Sequence, residues 1–281
     1  MHYNPLNSHT ISQGQGTIRE MDPSRYDAYF FDLDGTIYTG SELLPGVNEV
    51  ISRLIQLGKK VMYLTNTTIY TREECRDRLQ AMGLEPVVDD IMTAGYVSGM
   101  YLKEQQEEVR AFVIGERALE QELDVLDIIL TGNPMEATHL VVGLDREFSY
   151  AKMTAGMNAV RNGARFIVAN PDPFCPVPGG IIPDSWPIAK AIEAASTLDI
   201  QVMTGKPSTY YIDRALKLSG LDAGRCLMIG DRLETDIMMG VNSAVHTALV
   251  LTGVTGSECL LKSAIVPNYV FSTLEDLLKW L

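Results

Sequence analysis

Positive charge is scarce in this sequence: 23 Lys and Arg stand against 36 Asp and Glu, a formal net charge of −13. A chain so acidic repels a phosphate backbone unless its basic residues gather in a patch, and the sequence shows no such patch, so nucleic-acid binding is not expected. Cysteine is sparse as well. Cys75, Cys175, Cys226 and Cys259 form no CxxC pair and no zinc-type spacing, which points to a reducing, cytoplasmic setting. Long apolar runs are missing. The longest uncharged stretch, Ile237 to Ser257, has 21 residues but carries Asn242, Ser243, His246 and several Gly and Thr, so no membrane span is expected. The N-terminus lacks the basic and then apolar pattern of a signal peptide. The four histidines, His2, His9, His139 and His246, show no paired metal-ligand spacing.

What remains is a globular composition, 46% hydrophobic and 21% charged, which argues against disorder, collagen-like repeats and coiled coils. At roughly 100–200 residues per domain the length predicts about two domains. Residues 1–26 are polar and aperiodic and are expected to be a dispensable extension. Beyond them, short apolar runs recur, each ending in a polar or glycine-containing turn and followed by a helical pattern, the signature of βαβ units and a parallel sheet.

The first run is Ala28 to Phe31, followed by a helix over 45–57 that places Val47, Val50, Ile51, Leu54 and Ile55 at helical spacing and stops at Gly58. Val61 to Leu64 is the second, with a helix beginning near Thr71. Cys226 to Ile229 and Ala248 to Leu251 follow near the other end, with a closing helix over 274–281. Between these halves a second set of strands (111–114, 128–130, 139–142, 166–169) and a helix over 150–162 predict an inserted α/β domain at 94–201. The core is then split into 27–93 and 202–281.

In an open parallel sheet, ligands bind beyond the carboxyl ends of the strands, and the polar clusters of this chain lie there. Asp32 and Asp34 follow the first strand, Thr65 and Asn66 the second, and Asp231 the Cys226 strand. Lys206 lies in a loop leading to a helix over 209–218. This set suits phosphoryl transfer. Asp32 is placed to attack phosphorus, and Asp34, two residues on, to protonate the leaving oxygen and then deprotonate water. Asp231, Asp32 and a backbone carbonyl offer hard oxygen ligands to Mg²⁺. Lys206, Thr65 and Asn66 are placed to neutralise or hydrogen-bond the phosphoryl oxygens, and Gly35 to permit the tight turn beside them. An EF-hand loop is excluded because Ile37 stands where its glycine belongs. Ile200 likewise stands where a P-loop needs glycine, and Arg19 where a dinucleotide fingerprint does.

The strings Phe30-Phe31-Asp32-Leu33-Asp34-Gly35-Thr36, Leu64-Thr65-Asn66, Gly205-Lys206-Pro207 and Gly230-Asp231-Arg232-Leu233-Glu234-Thr235-Asp236 resemble the four ordered motifs of the haloacid dehalogenase superfamily. The last string, with Asn170-Pro171-Asp172, is similar to the NagD-like, p-nitrophenyl phosphatase subgroup. The resemblance implies a Rossmann-like core with a large α/β cap inserted between the second and third motifs. It also implies Asp32 as nucleophile and Asp34 as general acid/base, with Asp32, the Asp34 carbonyl and Asp231 as Mg²⁺ ligands supported by Asp236. Two departures stand out. Many relatives read Thr-Asn-Asn where this chain has Thr65-Asn66-Thr67, which places Thr67 among the residues expected to contact substrate, and Trp186 brings a large aromatic expected to shape the pocket. Asn170 and Asp172 read equally as a strand-ending Asx turn or as substrate contacts.

The expected function is a Mg²⁺-dependent phosphatase acting on a small phosphorylated metabolite through an aspartyl-phosphate. The alternatives are a phosphotransferase or mutase using the same intermediate, and a catalytically idle phosphate-binding regulator. Caps of this kind sometimes pair, so a homodimer through the cap is a further expectation of the resemblance.

Overall fold

The computed structural model describes residues 21–177 and 179–281. Residues 1–20 of the expected 1–26 extension lie outside the described residues, and the extension does not run on to residue 26. Met21 and Tyr26 are buried in the core, and the Tyr26 hydroxyl meets the Tyr269 hydroxyl at 2.8 Å and His246 Nδ1. A buried tyrosine ring with its hydroxyl satisfied is part of a folded unit.

The chain begins with β1 (Ala28–Phe31), a hairpin of β2 (Tyr38–Thr39) and β3 (Glu42–Leu43), α1 (Val47–Gln56), β4 (Lys60–Thr65), α2 (Arg72–Ala81) and β5 (Ile91–Thr93). It continues through α3 (Ala94–Lys103), β6 (Arg110–Ile114), α4 (Arg117–Asp124), β7 (Ile129–Leu130), β8 (His139–Val142), α5 (Tyr150–Arg161) and β9 (Arg165–Val168). An antiparallel pair, β10 (Phe174–Val177) and β11 (Gly180–Pro183), leads to α6 (Ser185–Ser196) and β12 (Val202–Met203). The chain closes with α7 (Thr209–Ser219), β13 (Cys226–Gly230), α8 (Met238–Asn242), β14 (His246–Val250), α9 (Ser257–Lys262) and β15 (Tyr269–Phe271).

Two parallel sheets result: β15-β14-β13-β1-β4-β5 forms the core and β12-β9-β8-β6-β7 the inserted unit. In β1, Tyr29 and Phe31 face one hydrophobic cluster and Ala28 and Phe30 the other, so the strand reads as an unbroken apolar run because both its faces are covered. In the second sheet Leu140, Val142, Phe166 and Val168 join one cluster, and Ala111, Val141 and Ile167 join the opposite one. Both sheets therefore have helices on two faces. No helix among the described residues is long and apolar enough to cross a membrane.

The helix starts follow their local chemistry. Thr71 accepts from the Glu74 N–H at 3.2 Å while the Glu74 carboxylate accepts from the Thr71 N–H at 2.9 Å, a capping box that fixes the start of α2. Several expectations shift. Ile55 is exposed, on the outer side of α1. The closing segment is a 3₁₀ helix, Leu274–Lys279, because its two buried side chains, Leu274 and Leu277, are three residues apart and line up on a three-residue turn. The second sheet also takes in Val202 and Met203, which pair with Ile167 and Val168 of β9, two residues past the expected boundary. At the other crossing α3 belongs to both units: Val97 packs in a core cluster and Leu102 in a cluster of the inserted sheet.

Candidate active site

Four loops at the carboxyl ends of β1, β4 and β13 and after β12 converge on one buried centre. Asp32 leaves β1 with its N–H on Ile229 O at 2.9 Å, so its side chain is carried to the sheet edge by the β1–β13 pairing. Lys206, 1% exposed, reaches the same point, and its ammonium has three acceptors for its three protons: Asp32 Oδ1 at 2.5 Å, Asp236 Oδ1 at 2.7 Å and Leu64 O at 2.8 Å. Burial by itself would lower this lysine, but Asp236 and Asp32 outweigh it and raise it, so it stays protonated.

Asp231 and Asp236 are brought together by one turn of π-helix, Leu233–Ile237, in which the N–H groups of Asp236 and Ile237 both reach Arg232 O at 3.2 Å. Such wide turns recur at functional sites because they re-aim a side chain within a helix. Asp236 Oδ2 then accepts from the Arg232 N–H at 3.2 Å, and Asp231 Oδ2 from Val254 N–H at 2.5 Å. Glycines make room for the carboxylates. A Cβ on Gly253 would lie 2.0 Å from Asp231 Oδ2, and one on Gly230 would lie 2.3 Å from Asp236 Cγ. Gly35, at φ +83°, adopts a conformation that favours glycine, and a Cβ there would lie 2.7 Å from Asp231 Oδ2.

Ligand atoms of Asp32, Asp231 and Asp236 lie within 4.8 Å of one another, all three residues being buried. One ammonium faces these three carboxylates, so the cluster carries excess negative charge. Burial, reinforced by Asp236 and Asp231, pushes Asp32 well above the ordinary carboxylate range against the pull of Lys206, and burial with Asp236 pushes Asp231 up to about 6. A compact set of hard oxygen donors short of positive charge fits a divalent cation such as Mg²⁺.

Asp34 is placed differently. Its side chain is outside this triad and reaches solvent in a crowded cleft, where its Oδ2 accepts from the Tyr38 hydroxyl at 3.3 Å. The surrounding protein raises its carboxyl, with Arg78 and Tyr38 opposing. Thr65 is buried at the end of β4, its hydroxyl oxygen accepting from Thr67 N–H at 3.2 Å and its carbonyl from the Tyr211 hydroxyl at 3.0 Å. Thr67 is half-buried, and its hydroxyl oxygen accepts from Ile69 N–H at 3.4 Å. The Gly35 N–H is occupied by Tyr38 O at 2.8 Å, so the turn that Gly35 permits is closed on itself.

Asn66, Asn170 and Asp172 are used in a way the sequence does not disclose. Both Asn66 amide protons are taken, by Asp172 Oδ2 at 3.0 Å and Lys206 O at 3.1 Å, and its Oδ1 accepts from Lys206 N–H at 2.9 Å. The expected donation from the Asn66 side chain to a phosphoryl group is replaced by a clamp on the main chain of Lys206. Asn170 makes the Asx turn, Oδ1 to Asp172 N–H at 3.2 Å, and its amide donates to Asn66 O at 2.6 Å. Asp172 Oδ1 receives the Arg232 guanidinium at 3.1 Å, and burial raises its carboxyl to about 6 against that pull. These three residues join the inserted unit to the core. Trp186 packs in the inserted unit's hydrophobic cluster, with Lys190 Nζ 5.0 Å from its ring centre, and so acts there as a packing residue.

Sequence reasoning missed Gly253, Val254, Tyr211 and the role of Arg232. Only Arg232 carried a local signal, its place inside the Gly230–Asp236 string.

Residues 29–129 match the family model described as haloacid dehalogenase-like hydrolase, and residues 203–277 match the one described as HAD-hydrolase-like. An acid sugar phosphatase of Staphylococcus saprophyticus is 32% identical over 254 residues, covering 90% of this chain and 97% of the relative. The sugar phosphatase AraL of Bacillus subtilis is 34% identical over 250 residues, 88% of this chain and 90% of the relative. Among solved structures, a p-nitrophenyl phosphatase from Archaeoglobus fulgidus superposes with a TM-score of 0.87 at 32% identity, covering 91% of this chain and 99% of that one.

Proposed function

Since the chain belongs to the haloacid dehalogenase-like hydrolases, we propose that it hydrolyses small phosphomonoesters through a phosphoryl group carried on Asp32. The observation that carries this reading is the buried cluster in which Lys206 Nζ bridges Asp32 and Asp236 beside Asp231.

An Asp32 carboxylate oxygen attacks phosphorus and the ester oxygen departs. Asp34, raised and open to the cleft, gives that oxygen its proton. The resulting carboxylate of Asp34 then takes a proton from water, whose oxygen attacks the phosphoryl group. Inorganic phosphate leaves, and Asp32 is regenerated with Asp34 again protonated. Lys206 holds positive charge beside the phosphoryl oxygens throughout. The Thr65 hydroxyl oxygen accepts from Thr67 N–H, which directs its proton towards another acceptor such as a phosphoryl oxygen. Asp32, Asp231 and Asp236 are the side chains that would hold Mg²⁺, which when bound supplies the charge the carboxylates lack.

The names of the relatives, sugar phosphatases and a p-nitrophenyl phosphatase, support a small phosphorylated metabolite as substrate. The four free cysteines support a reducing, cytoplasmic setting. Phosphate release from p-nitrophenyl phosphate and a panel of sugar phosphates tests the reading. Turnover with Mg²⁺ that stops in excess EDTA is expected. Full activity in EDTA, or no release from any phosphomonoester with Mg²⁺, would contradict it.

A further inference from the structure

A closed circuit of hydrogen bonds runs around the phosphoryl site and passes once through the inserted unit. Lys206 Nζ donates to Asp236 Oδ1 at 2.7 Å, and Asp236 Oδ2 accepts from the Arg232 N–H at 3.2 Å. The Arg232 guanidinium donates to Asp172 Oδ1 at 3.1 Å and to Phe174 O at 3.4 Å, with its carbon 5.5 Å from the Phe174 ring centre. Asp172 Oδ2 accepts from Asn66, and Asn66 returns to both main-chain groups of Lys206. The Arg232 and Asp172 side chains are 18% and 10% exposed. An exposed pair would contribute little, but a pair this buried leaves an uncompensated charge when either partner is removed.

Two neighbours on the circuit, Lys206 and Asp236, belong to the reacting centre, and its far side is the root of the β10–β11 hairpin. We propose that Arg232 is a positioning residue for the hydrolysis: through Asp172 and Phe174 it registers that hairpin beside the phosphoryl site, and through Asp172 and Asn66 it fixes the main chain from which Lys206 extends. This rests on the phosphatase reading above. Charge alone does not suffice for the role, because two separate nitrogens of the planar guanidinium reach the Asp172 carboxylate and the Phe174 carbonyl, a fixed fork that the single nitrogen of an ammonium does not match.

The test combines kinetics with amide hydrogen exchange. Arg232→Met and Asp172→Asn are each expected to lower kcat for p-nitrophenyl phosphate by about 10- to 100-fold with much smaller changes in KM, and Arg232→Lys to recover part of the loss. The double variant should lose no more than the worse single, since both break one pair. In Arg232→Met, exchange at residues 172–177 and 205–208 should quicken while β14 is unchanged. Losses that multiply in the double variant would overturn the proposal. So would a lowered Tm with wild-type kcat in the folded protein, the mark of a purely structural role. Should the wild-type protein release no phosphate, the phosphatase reading fails, and exchange still decides the positioning role: equal exchange in wild type and Arg232→Met overturns it.

Discussion

At the scale of single residues, the site depends on atoms that are absent as much as on those present. Gly253 and Gly230 stand where any Cβ would meet the carboxylates of Asp231 and Asp236. Gly253→Ala is therefore expected to destabilise the fold by about 1–3 kcal/mol and to lower phosphate release, because either the loop or Asp231 must move. Gly224, where a Cβ would find nothing within 4 Å, is the control, and Gly224→Ala should leave both unchanged. Thermal unfolding and phosphate release read the two effects, and equal behaviour of the two variants would contradict the packing argument. Asp32, Asp34, Lys206 and Asp231 were legible in the sequence because each lies just past a strand or in a loop that opens a clear helical pattern. Gly253 was not, because its role comes from lying against Asp231, 22 positions away, in a loop with no pattern of its own. Asn66 was legible as a site residue but not in its task, since only the folded arrangement shows which acceptors take its two amide protons.

At the scale of elements, α2 and α4 meet through a buried ion pair. Glu122 is 2% exposed, accepts from the Arg72 N–H and from the Thr93 hydroxyl at 3.3 Å, and lies 3.7 Å from Arg72 Nε, while the Arg72 guanidinium stacks 3.5 Å from the centre of the Tyr96 ring. Burial outweighs these partners and pushes Glu122 up to about 7. An acid whose folded value is raised binds its proton more tightly in the folded state. It therefore contributes stability in full below the unfolded value of 4.5, and that contribution is lost as pH rises towards about 7. The swing is of the order of 3 kcal/mol, and Glu122→Gln should flatten the dependence of unfolding free energy on pH in that window. A wild-type stability that rises from pH 4.5 to 7, with the variant unchanged in slope, would contradict this.

Elements with strong periodicity or caps, such as α1 and α2, were readable from sequence. α3 was not, because Gly95 and Gly99 are there for close approach: a Cβ on Gly99 would lie 2.7 Å from Leu126 Cδ1. A helix buried on both sides by small residues shows no polar and apolar faces to read.

At the scale of the whole molecule, the split core and the site belong together. The chain leaves the core sheet after β5, builds a second parallel sheet and returns through β12, so that loops from residues 32, 66, 206 and 231 share one edge while 172 approaches from the inserted unit. Strand periodicity made both sheets legible, but the crossing points were blurred, because α3 and β12 pack as continuations of their neighbours on either side. Residues 1–20 are polar and without periodicity in the sequence, so deleting them is expected to leave phosphate release at the full-length rate, and a large loss would contradict that.

The central claim is that Asp32 carries the phosphoryl group. Acid quenching during turnover of a radiolabelled phosphomonoester, followed by peptide mapping, tests it most directly. Label on the peptide containing Asp32 in the wild-type protein, and neither label nor turnover in Asp32→Asn, is the predicted result. Turnover without covalent label, or an Asp32→Asn protein that still releases phosphate at a near wild-type rate, would contradict it.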